Sequence, residues 1–285
     1  PSALKEAYQA LARDIEARFT VWLRSQYPAL GAQRLPIPHH VHHIPLYLAY
    51  LRENGKLNQV VMLVLDGLSL MDWQAVSAVW AQRHVDWEIK TEVVLSQIPT
   101  ITSIGDMDQR VSEARAWELF WSREGVTESA CKLLPLYYDR QINQLPELQD
   151  PRVHFWCLID DTPDRLAHHA TLGAVDQQSS LRLWLDPIHS PNSQPLEALL
   201  DGYLDQGFSV FITSDHGHVE ACGVGQPSEG LVAQTRGKRA RIYQDRRAAQ
   251  NIQDAFAGAL LWDDDGLLPN EMIALMPARH DAFAP

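Results

Sequence analysis

Cysteine is scarce in this sequence. The 285 residues hold three, Cys131, Cys157 and Cys222, far apart and with no CxxC spacing. That excludes a disulfide framework or a zinc finger and fits a reducing cytoplasm. Long apolar runs are lacking as well. No segment reaches the roughly 18 residues of a membrane span and none reads as a secretory leader, so a cytoplasmic location without a membrane partner is expected. Basic residues are outnumbered, with 24 Lys and Arg against 36 Asp and Glu, 24 − 36 = −12. A field of that sign argues against passive adhesion to nucleic acid or anionic lipid. It leaves room for an enzyme that draws a phosphate into a metal site, because bound cations invert the local potential. Internal repeats and low-complexity tracts are absent too. What remains is a hydrophobic fraction of 46% beside 21% charged residues, the balance of a globular chain with ample material for a core.

Residues 3–26 place Leu4, Tyr8, Leu11, Ile15, Phe19 and Leu23 at three- and four-residue spacing, which predicts an amphipathic helix. A second helix is predicted near 43–53, ended by Asn54-Gly55. Gln59-Val-Val-Met-Leu-Val-Leu65 follows, an apolar run suited to a strand buried on both faces. It stops at Asp66-Gly67, and a helix near 70–82 comes next. The grammar then repeats: a strand at 92–95, a helix at 112–124, a strand at 153–159, a helix at 163–185, a helix at 195–206 and a strand at 208–213. Buried strands alternating with helices predict an α/β architecture, a mostly parallel central sheet with helices on both faces. The expected division is a helical segment over 1–57 packed on a core domain over 58–285.

Three of these strands deliver acids at their carboxyl ends, the edge where open α/β sheets bind ligands. Asp66 follows the first. Asp164 and His168 are four apart on a predicted helix start and so share one face. Asp215 and His216 follow the last, with Gly217 and His218 beyond. Carboxylate and neutral imidazole are the ligands zinc or manganese takes when no thiolate is at hand. Singly, each feature has a plain explanation: a lone Asp at a strand end caps a helix, and a DxxxH pair sits on a surface. Asp-His-Gly-His directly after a buried strand is the most specific of the three. Between the first two lies Pro99-Thr-Ile-Thr-Ser-Ile-Gly105, on its own a polar loop, although a hydroxyl beside a metal can become a nucleophile toward phosphorus.

In chain order, strand-Asp66-Gly67, Pro99-Thr-Ile-Thr102, Pro163-Asp164-Arg-Leu-Ala-His168 and Thr213-Ser-Asp215-His216-Gly217-His218 resemble the alkaline phosphatase superfamily. The closest likeness within it is to the PglZ domain of BREX-type phage-defence systems and some response regulators. Leu63-Val-Leu-Asp66-Gly-Leu-Ser-Leu-Met-Asp-Trp73, Gly223-Val-Gly225-Gln-Pro-Ser-Glu-Gly230 and Arg236-Gly-Lys-Arg239-Ala-Arg241-Ile-Tyr243 add to it. The resemblance covers roughly 36–285 and implies an alkaline-phosphatase-like fold.

It also implies two divalent ions, zinc preferred and manganese the alternative. Asp66, Asp215 and His216 would hold one, and Asp164 and His168 the other. Asp160 or Asp161 could stand in for Asp164, which is preferred for its preceding proline and the histidine four residues on. Thr102 matches the nucleophile position, with Ser103 and Thr100 behind it. His218 matches a position that hydrogen-bonds a metal-ligating carboxylate. The implied activity is a metal-dependent phosphohydrolase, preferably a phosphodiesterase acting on a phosphate ester such as nucleic acid or a nucleotide, alongside other phage-defence proteins. A catalytically silent module of a defence complex is the alternative, as is a phosphomonoesterase or sulfatase. The superfamily's third ligand to the second ion, a histidine in a His-Gly-Gly segment, has no match here. His280 is the only histidine after His218 and fits the position before that motif. The expectation is a piece of a longer polypeptide, its domain lacking the C-terminal part and its second ion held weakly.

Arg236, Lys238, Arg239 and Arg241 form the one dense basic run. Arg236, Arg239 and Arg241 are candidates for substrate phosphate binding, because planar guanidinium groups suit phosphate; a solvated strand edge explains them equally. The cluster His39-His40-Val41-His42-His43 has no acid nearby in sequence, so no metal is assigned to it.

Overall fold

The computed structural model describes residues 2–96, 98–100, 132–136, 155–170, 172–185, 193–228, 233–236, 238–263, 272–278 and 280–285. They fall into two compact units, one of Val41–Glu220 and one of Pro1–His40 with Ala221–Pro285. The division does not run at 57/58. Helix α2 goes with the larger unit because its Ile44 and Leu48 share an apolar cluster with the first strand of that unit. Helix α1 (Ser2–Gly31) belongs to the smaller one. It buries only its C-terminal end: Leu23 and Tyr27 are covered, whereas Leu4, Tyr8, Leu11, Ile15 and Phe19 are 50–72% exposed. Tyr27 meets His40 edge-on at 4.5 Å and Trp262 at 5.6 Å.

The larger unit runs α2 (Ile44–Glu53), β1 (Val60–Leu65), α3 (Leu70–Arg83), β2 (Lys132–Leu136), β3 (Phe155–Asp160), α4 (Thr162–His169), α5 (Ala174–Trp184), α6 (Ser193–Asp205) and β4 (Ser209–Thr213). Its strands form one parallel sheet in the order β2-β3-β1-β4. All six side chains of β1 are buried, and strand alternation sends them to opposite faces. Val61, Leu63 and Leu65 join Val76 and Trp80 of α3, Leu181 and Trp184 of α5 and Leu196 and Leu200 of α6. Val60, Met62 and Val64 join Ile44 and Leu48 of α2. Two covered faces are why the run is apolar without alternation. Each such side chain contributes about 1.5–3 kcal/mol by leaving water.

One polar knot lies beneath the first face. Glu197 of α6 accepts from Trp80 Nε1 at 3.0 Å and Arg83 Nη1 at 2.8 Å, and lies 2.8 Å from His84 Nε2. Trp87 stacks on His84 at 3.9 Å and donates to Asp201 at 2.8 Å.

Two predicted elements differ. Residues 92–95 are no strand; Leu95 makes an isolated bridge, its carbonyl accepting from Val41 N at 3.0 Å. The helix expected over 163–185 is two, because Gly173, at φ +73°, precedes α5 in a conformation that no helix interior holds. The helix predicted at 112–124 lies outside the described residues.

The smaller unit adds β5 (Cys222–Gly223), β6 (Ala233–Arg236), β7 (Arg241–Tyr243), α7 (Arg246–Ala255), β8 (Leu260–Trp262), β9 (Ile273–Met276) and β10 (Asp281–Ala282). Four of these strands form an antiparallel sheet, β6-β7-β9-β8, while β5 pairs with β10. The parallel sheet expected of 58–285 therefore accounts for the larger unit only. No helix among the described residues is long and apolar enough to cross a membrane.

Candidate metal centre

β3, β1 and β4 are neighbours running the same way, so the residues after each emerge at one sheet edge. Asp66 extends the ladder by one bond, its N–H donating to Asp160 O at 3.0 Å. Gly67 then turns the chain at φ +67°. A Cβ on Gly67 would stand 2.9 Å from Asp164 Oδ1 and 3.1 Å from Asp164 Cα, so only glycine lets the first turn of α4 come this near. The loop after β4 closes the other side. Leu68 N donates to Ser214 Oγ at 3.0 Å, Gly67 N lies 3.5 Å from Asp215 Oδ1, and Ser214 Oγ donates to the His216 carbonyl.

Asp66, Asp164 and His216 each offer one ligand atom, all within 4.8 Å of one another. His216 Nε2 stands 3.5 Å from Asp66 Oδ1 and 3.5 Å from Asp215 Oδ2. Ligand atoms about 2 Å from a shared ion lie roughly 3–4 Å apart, so these spacings are of coordination size. His216 Nδ1 is 3.0 Å from the Gly217 carbonyl, which can only accept, so a proton on Nδ1 would be donated there and Nε2 is the nitrogen turned toward the carboxylates. Asp215 Oδ2 is buried and accepts no hydrogen bond among the described residues. The donor set fits a divalent ion.

The remaining candidates divide. His168 is not in the group; its side chain is 76% exposed, with Nε2 3.3 Å from Asp164 Oδ2. Of the three acids at the carboxyl end of β3 and just beyond it, Asp164 is the one drawn in. Asp160 is buried and its Oδ1 accepts from Thr162 N at 2.8 Å, while burial, opposed by the Thr162 hydrogen bonds, pushes its carboxyl up to about 7. Asp161 faces Arg165 Nε at 3.2 Å. His218 turns away from the clustered carboxylates: Nδ1 is 2.9 Å from the Gly67 carbonyl and Nε2 3.2 Å from Asp72. Thr102 and Ser103 lie outside the described residues; Thr100 is exposed.

In the smaller unit, Arg239 donates to the carbonyls of Ala278 and Asp281. Arg241 is buried, donates to Phe283 O at 3.3 Å and stacks over the Phe283 ring at 5.3 Å. Both guanidinium groups thus hold the C-terminal segment of their own unit. The Arg236 side chain is outside the described residues. Asp72 was not among the residues singled out from the sequence. Its signal, Ser69-Leu-Met-Asp72 ahead of an apolar run, reads as a helix cap, and Ser69 Oγ does accept from Asp72 N at 3.2 Å.

No known protein-family model matches the chain, and no curated protein matches it.

Proposed function

We propose that this chain is a metal-dependent phosphohydrolase of alkaline-phosphatase-like fold, a phosphodiesterase in preference to a monoesterase, working in phage defence as its likeness to the PglZ domain implies. The observation that carries the reading is the convergence of Asp66, Asp164 and His216, brought from three separate stretches to one edge of a parallel sheet. The likeness implies one divalent ion at Asp66, Asp215 and His216 and a second at Asp164 with His168, zinc in preference to manganese. Because Asp164 stands with Asp66 and His216 while the His168 side chain is 76% exposed, the first ion would be held by Asp66, Asp164 and His216, with Asp215 beside it. Bound there, the ions supply positive charge that draws density from the phosphoryl oxygens and stabilises a leaving alkoxide. The hydrogen bond between His216 Nδ1 and the Gly217 carbonyl would keep the ring from turning, with Nε2 toward Asp66 and Asp215. Thr102, assigned from its place in Pro99-Thr-Ile-Thr, is the nucleophile. Its hydroxyl attacks phosphorus and gives up its proton, one alcohol of the diester leaves with a proton, and water then cleaves the threonine ester, releasing the phosphate monoester and restoring the hydroxyl.

The test is turnover of bis-aryl against mono-aryl phosphate with zinc or manganese present. The diester is expected to be the better substrate, with activity lost in Thr102→Ala, Asp66→Ala and Asp215→Ala alike. A Thr102→Ala protein as active as its parent would refute the nucleophile assignment. Absence of both bound metal and turnover would favour a silent module of a defence complex.

A further inference from the structure

Asp72 is 2% exposed, although it stands in the first turn of a helix, where an acid ordinarily faces water. Burying a carboxylate costs several kcal/mol unless donors surround it. Here one oxygen, Oδ2, takes them all: Ser69 Oγ donates at 2.8 Å, Gln177 Nε2 at 3.2 Å, and His218 Nε2 lies 3.2 Å away. Capping α3 does not require this, because Ser69 already caps it. The carboxylate instead joins the start of α3, helix α5 and the loop after β4.

His218 carries the connection onward. Its Nδ1 lies 2.9 Å from the Gly67 carbonyl, and that carbonyl can only accept, so a proton on Nδ1 is donated to the carbonyl of the residue directly after Asp66. The N–H groups of Gly67 and Leu68 face Asp215 and Ser214 of the same loop. The turn bearing Asp66 and the loop bearing His216 are therefore tied at both faces of one peptide segment, and Asp72 is the buried anchor of the tie.

We propose that Asp72 is a positioning residue for the Asp66–Asp164–His216 centre, setting through His218 where the Asp66 turn and the His216 loop stand relative to each other. The proposal rests on the metal reading of that centre for its functional meaning. It concerns a residue that touches neither ligands nor substrate.

The test compares the whole chain with Asp72→Asn, which keeps the shape and removes the charge, and Gln177→Met, which removes one donor at nearly constant volume. Cobalt(II) titrations followed by visible absorption, with zinc competition, give affinities. Asp72→Asn is expected to weaken binding about 10- to 100-fold, as loss of outer-shell partners does, with Gln177→Met in between. Metal-free protein gives the independent readout: the ring nitrogen resonances of His216 and the amide exchange of Gly67 and Leu68, both expected to change in Asp72→Asn. A lower melting temperature with affinity, resonances and exchange unchanged in both variants would mean a merely structural carboxylate and overturns the proposal. If the parent binds neither metal, the metal reading fails, and the metal-free resonances and exchange decide the positioning role on their own.

Discussion

Two glycines in the larger unit share a backbone angle and differ in surroundings, which permits a controlled perturbation of the centre. Gly55 and Gly67 both have φ of +67°; a Cβ on Gly55 meets nothing within 4 Å, whereas one on Gly67 meets Asp164 at 2.9–3.1 Å, its Cα included. Gly55→Ala therefore carries only the left-handed backbone cost, about 1–2 kcal/mol. Gly67→Ala carries the same cost plus that of forcing α4 away, about 1–3 kcal/mol for overpacking that a flexible side chain cannot relieve. The expected stabilities are thus about 1–2 kcal/mol below the parent for Gly55→Ala and about 2–5 kcal/mol below for Gly67→Ala, read from urea midpoints at constant m. Since the forced movement falls on Asp164, zinc affinity by calorimetry is expected to drop at least about tenfold in Gly67→Ala and to stay at the parental value in Gly55→Ala. Equal stability losses in the two variants, with affinity intact in both, would refute the claim that Asp164 packs against the Asp66 turn.

Other consequences follow from the same contacts. Glu197→Ala strips the acceptor from Trp80, Arg83 and His84 at once and should cost about 3 kcal/mol or more, with red-shifted tryptophan emission; Glu197→Gln should cost less. Leu63→Ala, at the middle of β1, should cost about 2–5 kcal/mol with no loss of zinc affinity per folded molecule. Burial lowers the His40 pKa, so below its ordinary value of about 6.5 the unfolded chain takes up a proton that the folded one refuses. Stability is then level above that pH and declines as pH falls from there toward the lowered value; urea midpoints at several pH values check it, and His40→Phe should flatten the profile.

Legibility in the sequence tracked how much of an element's environment was encoded locally. Val60–Leu65 was readable because a strand covered on both faces needs apolar residues at every position, and Asp66, Asp215 and His216 could be placed because strand ends carry the ligands of parallel sheets. The antiparallel sheet was not foreseen. Its strands β7 and β8 are three residues long, too short for a period to show, and their partners are distant in sequence. The break at Gly173 was missed because the apolar spacing continues across it. Asp72, Gln177 and Glu197 were invisible for a common reason: each is a polar side chain at a helical position, ordinary until tertiary contacts bury it. The apolar stripe of α1 misled in the opposite sense, since helical spacing identifies a face but not what covers it.

Diffraction at the zinc edge from crystals grown with zinc addresses the centre most directly. The account predicts an anomalous peak about 2 Å from carboxylate oxygens of Asp66 and Asp164 and from His216 Nε2. Zinc bound only elsewhere on the chain, with those three side chains apart, would contradict it.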